Sequence, residues 1–381
     1  PENFIREIGG PIEFIAKYQY SPTTLLAFEK SNYSEDWQEL LKLYMVRRTR
    51  TFIKENYATF DDRKKQYFLT FNDGRIEYFP DRIPKKVEYP FDPNDKNDIF
   101  VRLYDDEVVN SINNLHLARY GLGNYINKEN EAQAEPEEKK IIANLSRAGK
   151  RLMGFCRTNL FKRLESSGFS FLISLARHVL RNEIFVYAIE KGLPIPIGQQ
   201  EKAEIDEFLE ENDNEDDVSL KLISDIEEYK RLAEEHYKKI TTDKNKYDWI
   251  RCNLLSDTLK DHLIQDTKSI ISILEIGKDW DPNKDKKLNS LEELCQKTHE
   301  TDKILIFTQF ADTAYYLYEN LKNRKIENIA YATGDLENPT ELAHRFSPIS
   351  NKVRNVKDEI RVLISTDVLS EGQNLQDAHI I

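Results

Sequence analysis

Apolar residues recur at helical spacing through most of this chain, alternate over one short stretch, and bunch into unbroken runs only near its end. Residues 1–55 predict helices with interruptions, of which Trp37–Val46 carries an apolar face and runs straight into Arg47–Arg48–Thr49–Arg50. Over 66–79 the period falls to two. Tyr67–Phe71 and Arg75–Phe79 flank Asn72–Asp73–Gly74, residues that tolerate positive φ, and this predicts a β-hairpin. Pro80, Pro84 and Pro90 interrupt regular structure after the hairpin. From about 98 to 300 the spacing is helical again, too long a stretch for a simple linker. Val108, Ile112, Leu115 and Leu117 mark one helix, and 151–191 reads as a long amphipathic pair with cations on its polar side. Leu193–Pro194–Ile195–Pro196–Ile197–Gly198 closes that block; helices resume over 220–276, with Tyr229, Leu232, Ile250 and Leu254 as core.

The last 80 residues read differently. An apolar strand at 303–308, a helix at 311–322, a strand at 328–332, a short helix at 339–346 and a strand at 361–366 succeed one another with short connections. Ala378–Ile381 is expected to add a further strand. This β-α-β-α-β order predicts a parallel sheet with right-handed crossovers. Each strand stops abruptly in polar residues: Thr308–Gln309, Thr333–Gly334 and Thr366–Asp367. Ligands bind outside the carboxyl ends of such strands, so these residues are the first candidates for a site.

Charge and composition narrow the picture. The chain has 381 residues, enough for two or three domains, and a net charge of −12. Much of the imbalance sits in the acidic run 204–217, read as a solvated linker or, more sharply, a docking tail for a basic partner. Cations cluster at 47–50 with Lys54, and between Lys139 and Arg163. Such clusters can neutralise phosphates within an acidic protein. Three scattered cysteines argue against a disulfide framework or a zinc cluster. His178 and His236 lack partners at ligand spacing, so no metal site is expected, and Ser166–Ser167 lack a base for nucleophilic catalysis. No apolar run reaches the roughly 18–20 residues that span a bilayer, and a cytoplasmic setting is expected.

The wording of the strand ends is more specific than their pattern. ILIFTQFADTAYYL resembles motif IV, and VLISTDVLSEGQNLQDAHII motif V, of superfamily-two helicase-like motors; the second is most similar to the Swi/Snf-related branch and its bacterial RapA-like members. Where the common Swi/Snf pattern has Arg-Ala-Gly-Gly, this chain has Asp367–Val368–Leu369–Ser370. Leu43, Val46 and Arg47–Arg50 are similar to the element that ends the first lobe in that family; Asn159–Ser167, Phe171, Arg177–His178 and Arg181–Asn182 resemble a RapA-like helical element. A Lys-Leu step like Lys287–Leu288 precedes motif IV in relatives.

The resemblance implies an α/β plus all-α chain: the end of a first RecA-like lobe (1–60), a small β-hairpin element (61–95), a helical protrusion (96–200), an acidic linker (201–218), helices leading onward (219–298), and a partial second RecA-like lobe (299–381). It implies a DNA-dependent ATPase that translocates on duplex DNA, with ATP and Mg2+ as cofactors of the full-length protein. Gln309, Asp367 and Gly372 would face the nucleotide and the lobe interface, Gly372 by permitting close backbone approach. Thr308, Thr333, Gly334, Thr366, Asn374 and Gln376 would meet the nucleic-acid backbone. Arg47, Arg48 and Arg50 can brace a lobe interface or touch phosphate; Lys162, Arg163, Arg177 and Arg181 can pair with Glu165 and neighbouring helices or contact DNA.

No Gly-x-x-x-x-Gly-Lys-Thr loop (Walker A), no Asp-Glu-x-His box (Walker B) and no motif VI is found in this sequence. Phosphoryl transfer needs a phosphate cradle, a lysine and a magnesium carboxylate together, so this chain is expected to be an internal piece, inactive alone. Two other classes fit the same residues: a degenerate motor whose helical region serves as a protein-interaction scaffold, and the motor of a nuclease-coupled defence or repair protein. RNA unwinding is a weaker rival.

Overall fold

A computed structural model describes residues 1–31, 33–44, 50–71, 74–198, 222–242, 247–334, 338–370 and 372–381. The chain divides into two compact units, Pro1–Lys86 and Val87–Ile381. The acidic run 204–217 lies outside the described residues, as do Arg47 and Arg48.

The first unit begins with helices α1 (Glu2–Ile8), α2 (Pro11–Tyr18), α3 (Leu25–Glu29), α4 (Ser34–Tyr44) and α5 (Arg50–Tyr57). Phe4, Phe14 and Ala27 form its small core. The buried Asp36 carboxylate accepts the Asn3 and Phe4 amides and the Ser31 hydroxyl, satisfying the donors that α1 leaves open at its first turn. The expected hairpin is present as β2 (Gln66–Thr70) against β3 (Ile76–Tyr78), with Phe68 opposite Tyr78. Gly74, at φ +81°, makes the left-handed turn that returns the chain. A further strand, β1 (Thr59–Asp61), pairs with the other edge of β2; the spacing did not predict it because three residues are too few to show a period.

The second unit opens with α6 (Ile99–Arg102), α7 (Asp106–Asn113) and a 3₁₀ stretch over Ala118–Tyr125, then the long pair α8 (Pro136–Ser166) and α9 (Gly168–Glu190). α8 starts at Pro136 behind a capping box between Glu135 and Glu138. It stops at Ser167, whose hydroxyl accepts the Ser170 amide and so starts α9 one residue later. Strand β4 (Ile195–Ile197), helix α10 (Ile226–Thr242), strand β5 (Asp248–Ile250) and helix α11 (Asp257–Gly277) complete a helical body. α9 is buried on nearly all sides, packed among α8, α10 and α11, and is the axis of one continuous core. The β4–β5 pair inside this body was not anticipated: two prolines in Leu193–Gly198 read as a break, whereas Ile195 and Ile197 are fully buried.

Helix α12 (Lys286–Glu293) leads into β6 (Ile304–Phe307), α13 (Ala311–Asn323), β7 (Ile329–Ala332), α14 (Pro339–Phe346) and β8 (Val362–Ser365). The three strands are parallel in the order β6-β8-β7, and Ile380 bridges in parallel to Ile304 on the free side of β6. Alternate residues go to opposite faces. Ile304, Val362 and Ile364 pack with Leu288, Cys295 and Leu321 on one side; Leu305 and Leu363 pack with Ala332, Phe346 and Leu369 on the other. Leu288 and Cys295 thus belong to the core of this sheet.

Candidate nucleotide and nucleic-acid interface

The carboxyl ends of the three parallel strands converge because the ladder holds them level. The Thr308 amide donates to the Ser365 carbonyl at 3.0 Å and the Thr366 amide to the Ala332 carbonyl at 3.0 Å. Thr366 is buried, Thr308 and Thr333 are half-buried, and Gln309 and Gly334 are exposed. The sequence-predicted strand-end residues are therefore brought to one edge, with Asp367 exposed beside them at the start of a 3₁₀ turn.

Beyond Thr366 the loop is held from behind. Ser370 donates to the Asp367 carbonyl through both its amide and its hydroxyl. Asn374 Nδ2 donates to the Ser350 carbonyl at 3.0 Å, and Asn351 Nδ2 returns a bond to the Asn374 carbonyl at 2.8 Å. The Asp377 carboxylate accepts the Ile349 and Ser350 amides and the Ser350 hydroxyl. Asn374 thus holds the loop, while Gln376 remains exposed. At Gly372 the requirement is conformational: φ is +72°, and a Cβ would meet nothing within 4 Å in this chain.

The motif IV end is covered instead. A cavity of about 680 Å3 lies where Ile306–Phe310 meets the α8–α9 joint, lined also by Lys162, Asp285 and Lys287. Thr308 Oγ1 lies 3.3 Å from the Ser166 hydroxyl, which lies 3.0 Å from Thr313 Oγ1; that hydroxyl donates to Ser170 at 2.9 Å. Lys287 Nζ donates to the Glu165 and Ser166 carbonyls at 2.7 and 2.8 Å, closing the carboxyl end of α8. Burial pulls its pKa below the usual lysine range, opposed by Asp285 and Glu165. Tyr316 donates to Asp285 at 2.9 Å while Asp285 caps α12, and burial pushes that phenol's pKa up.

The basic residues separate sharply. Arg163 and Arg177 are inside the molecule, both on Asp312. Arg177 grips it bidentately at 2.6 and 2.9 Å; Arg163 reaches it at 3.2 Å and lies over the Phe310 ring at 4.6 Å. Their guanidinium groups face a carboxylate of α13, not solvent, because α8 and α9 dock on that helix. Lys162 is exposed, Arg181 is half-buried within α9, and Arg50 is the first residue of α5. His178 is buried beside Arg119 and Arg181, and burial holds its pKa well below the ordinary range. Among the described residues no group of three or more His, Cys, Asp or Glu is placed to hold a metal, and no helix is long and apolar enough to cross a membrane.

Residues 286–381 match the family model for the helicase conserved C-terminal domain. This segment is similar to a helicase C-terminal lobe, and its three parallel strands with flanking helices are consistent with a RecA-like lobe. The match starts at the first residue of α12 and covers about a quarter of the chain. Searches of curated proteins and of solved structures returned no match. The helicase-like lobe carries the Thr308, Thr333 and Thr366 strand ends together. Sequence reasoning missed Asp312, Lys287 as a helix cap, and Asp377. Asp312 in the first turn of a helix reads as a dipole partner, and nothing local marks it as the target of residues 135 and 149 positions away.

Proposed function

We propose that the helicase-like lobe is the second lobe of an ATP-driven motor that translocates along nucleic acid, with duplex DNA as its track, of the Swi/Snf-related, RapA-like kind. The observation that carries this reading is the convergence of Thr308, Thr333 and Thr366 at one sheet edge within the segment that matches the helicase family. Side-chain hydroxyls at such an edge suit neutral contacts to phosphate oxygens, which position a protein without reading sequence. Thr333, Gly334, Thr366 and Gln376 would line the track, with Thr308 set from behind by Ser166. Exposed Asp367 and Gln309 would face the nucleotide and the opposing lobe. Bound ATP with Mg2+ would supply the phosphoryl group whose hydrolysis drives the cycle. A phosphate cradle, its lysine and the metal carboxylate must come from a first lobe, since this sequence holds none of those motifs.

The test is ATP hydrolysis by the protein that includes the first-lobe motifs, with and without duplex DNA, beside Asp367→Ala. Duplex stimulation in the parent, lost in a folded variant, is the expected result. No hydrolysis under either condition favours a helical scaffold, a reading supported by the continuous core that the helical body builds for itself. Strand separation on a forked substrate would sink the translocase reading and leave an unwinding helicase.

A further inference from the structure

We infer that Arg163, Arg177 and Asp312 form a positioning clamp that sets the motif IV turn, Thr308–Phe310, from the helical body. Its consequence for turnover rests on the motor reading; its structural content does not. Asp312 lies two residues beyond Phe310, in the first turn of α13, where the helix dipole favours a carboxylate. The cations come from the end of α8 (Arg163) and the middle of α9 (Arg177), and the three side chains are only 4%, 14% and 14% exposed (Arg163, Arg177, Asp312), so solvent screens them little. Arg163 also donates to Ser174 at 2.9 Å, which fixes its fork while it covers Phe310. The hydroxyl chain Thr308–Ser166–Thr313–Ser170 ties the same turn to the α8–α9 joint.

The joint is closely packed and hydrogen-bonded. Lys287 closes α8 on its last carbonyls, and a Cβ at Gly168 would lie 2.5 Å from the Trp280 ring. Two helices outside the helicase-matching segment therefore add to the sheet ladder in setting where the Thr308 side chain stands. A buried ion pair is a poor source of net stability, because desolvation cancels most of its attraction. What a planar, bidentate pair does supply is orientation, which lysine's single point charge does not. Any displacement of Thr308 and Gln309 during a motor cycle is then shared by the helical body.

Three variants of the full protein test this: Asp312→Asn, Arg177→Lys, and the combined apolar change Arg163→Met, Arg177→Met, Asp312→Leu. The readouts are amide hydrogen exchange, thermal melting and duplex-stimulated hydrolysis. Asp312→Asn should speed exchange over 308–316 about tenfold while 329–332 and 362–365 stay protected. It should lower kcat by roughly ten- to a hundredfold at unchanged KM for ATP. Arg177→Lys, which keeps the charge but not the bidentate fork, should show the same defect in smaller measure. The apolar variant should melt no lower than the parent yet show the same kcat defect, which separates orientation from stability. Unchanged exchange at 308–316, or a rise spread evenly through both sheet and helical body, overturns the clamp. If the parent hydrolyses no ATP, the motor reading fails while exchange still decides the clamp.

Discussion

The two strand ends that carry motifs IV and V have similar chemistry, a Thr followed by a polar residue, and opposite surroundings. At the motif V end the loop is anchored from behind by Asn374 and Asp377 and leaves Asp367 and Gln376 in solvent. At the motif IV end Thr308 is tied to Ser166 and Phe310 lies under Arg163, which leaves Phe307 and Gln309 exposed. The difference comes from what stands over each end. The motif V loop closes on its own lobe, whereas the motif IV turn is the floor beneath the α8–α9 joint. Polar residues at a strand end are thus not interchangeable evidence for ligand contact; one set is presented, the other is partly spent on holding two bodies together.

Substitutions can break this contrast in graded fashion. The largest effect is expected for Gly168→Ala, whose Cβ would sit 2.5 Å from Trp280 Cη2 and 2.9 Å from Phe100. Overpacking of this kind costs about 1–3 kcal/mol. Because it displaces the joint, exchange should rise over 308–313 and leave 367–377 untouched; equal rises at both ends would erase the contrast. Next is Glu138→Gln, at the far end of α8. Arg251 hydrogen-bonds this carboxylate through Nε and Nη2 and lowers its pKa from 4.5 to about 2. A folded-state pKa below the unfolded one adds stability above pH about 4.5 that is lost as pH falls toward about 2. The variant should lose on the order of 2 kcal/mol at pH 7 and little near pH 2, by denaturant titration. It should loosen the helical body without selectively opening the motif IV turn.

Smaller effects belong to the exposed side. Gly372→Ala should cost about 1 kcal/mol, the left-handed penalty alone, since its Cβ meets nothing. A much larger loss of duplex-stimulated turnover at that modest cost in melting would show that something outside this chain approaches Gly372. Lys162→Glu is expected to be mildest: unchanged melting, weaker duplex binding and a salt slope shallower by about one. Unchanged binding would remove Lys162 from the track. Changing Arg163 to Glu together with it, a sensible pair from sequence, no longer tests phosphate contact, because Arg163 is 4% exposed on Asp312.

How much was legible divides along the same line. The apolar runs at 303–308 and 361–366 and the helical spacing of 311–322 determined the parallel sheet, its order of elements and the level at which Thr308, Thr333 and Thr366 stand. Those are local consequences of burial and backbone pairing, and a chain carries them in its nearest neighbours. The hairpin over 67–79 was legible for the same reason. The short β4–β5 pair was not: a proline between two isoleucines reads as a break, and the strands lie some fifty residues apart and pair only once α9 and α10 have brought them together. The fate of the arginines was likewise undetermined. Spacing places Arg177 and Arg181 on neighbouring turns, yet only the docking of α9 on α13 decides that Arg177 meets Asp312. A guanidinium on an amphipathic helix costs little in water and little in a bidentate buried pair, so local sequence leaves both open. The sequence determined which elements form and which polar residues cap them; the tertiary structure decided which of those residues remain free to meet a ligand, because that depends on what packs over each strand end.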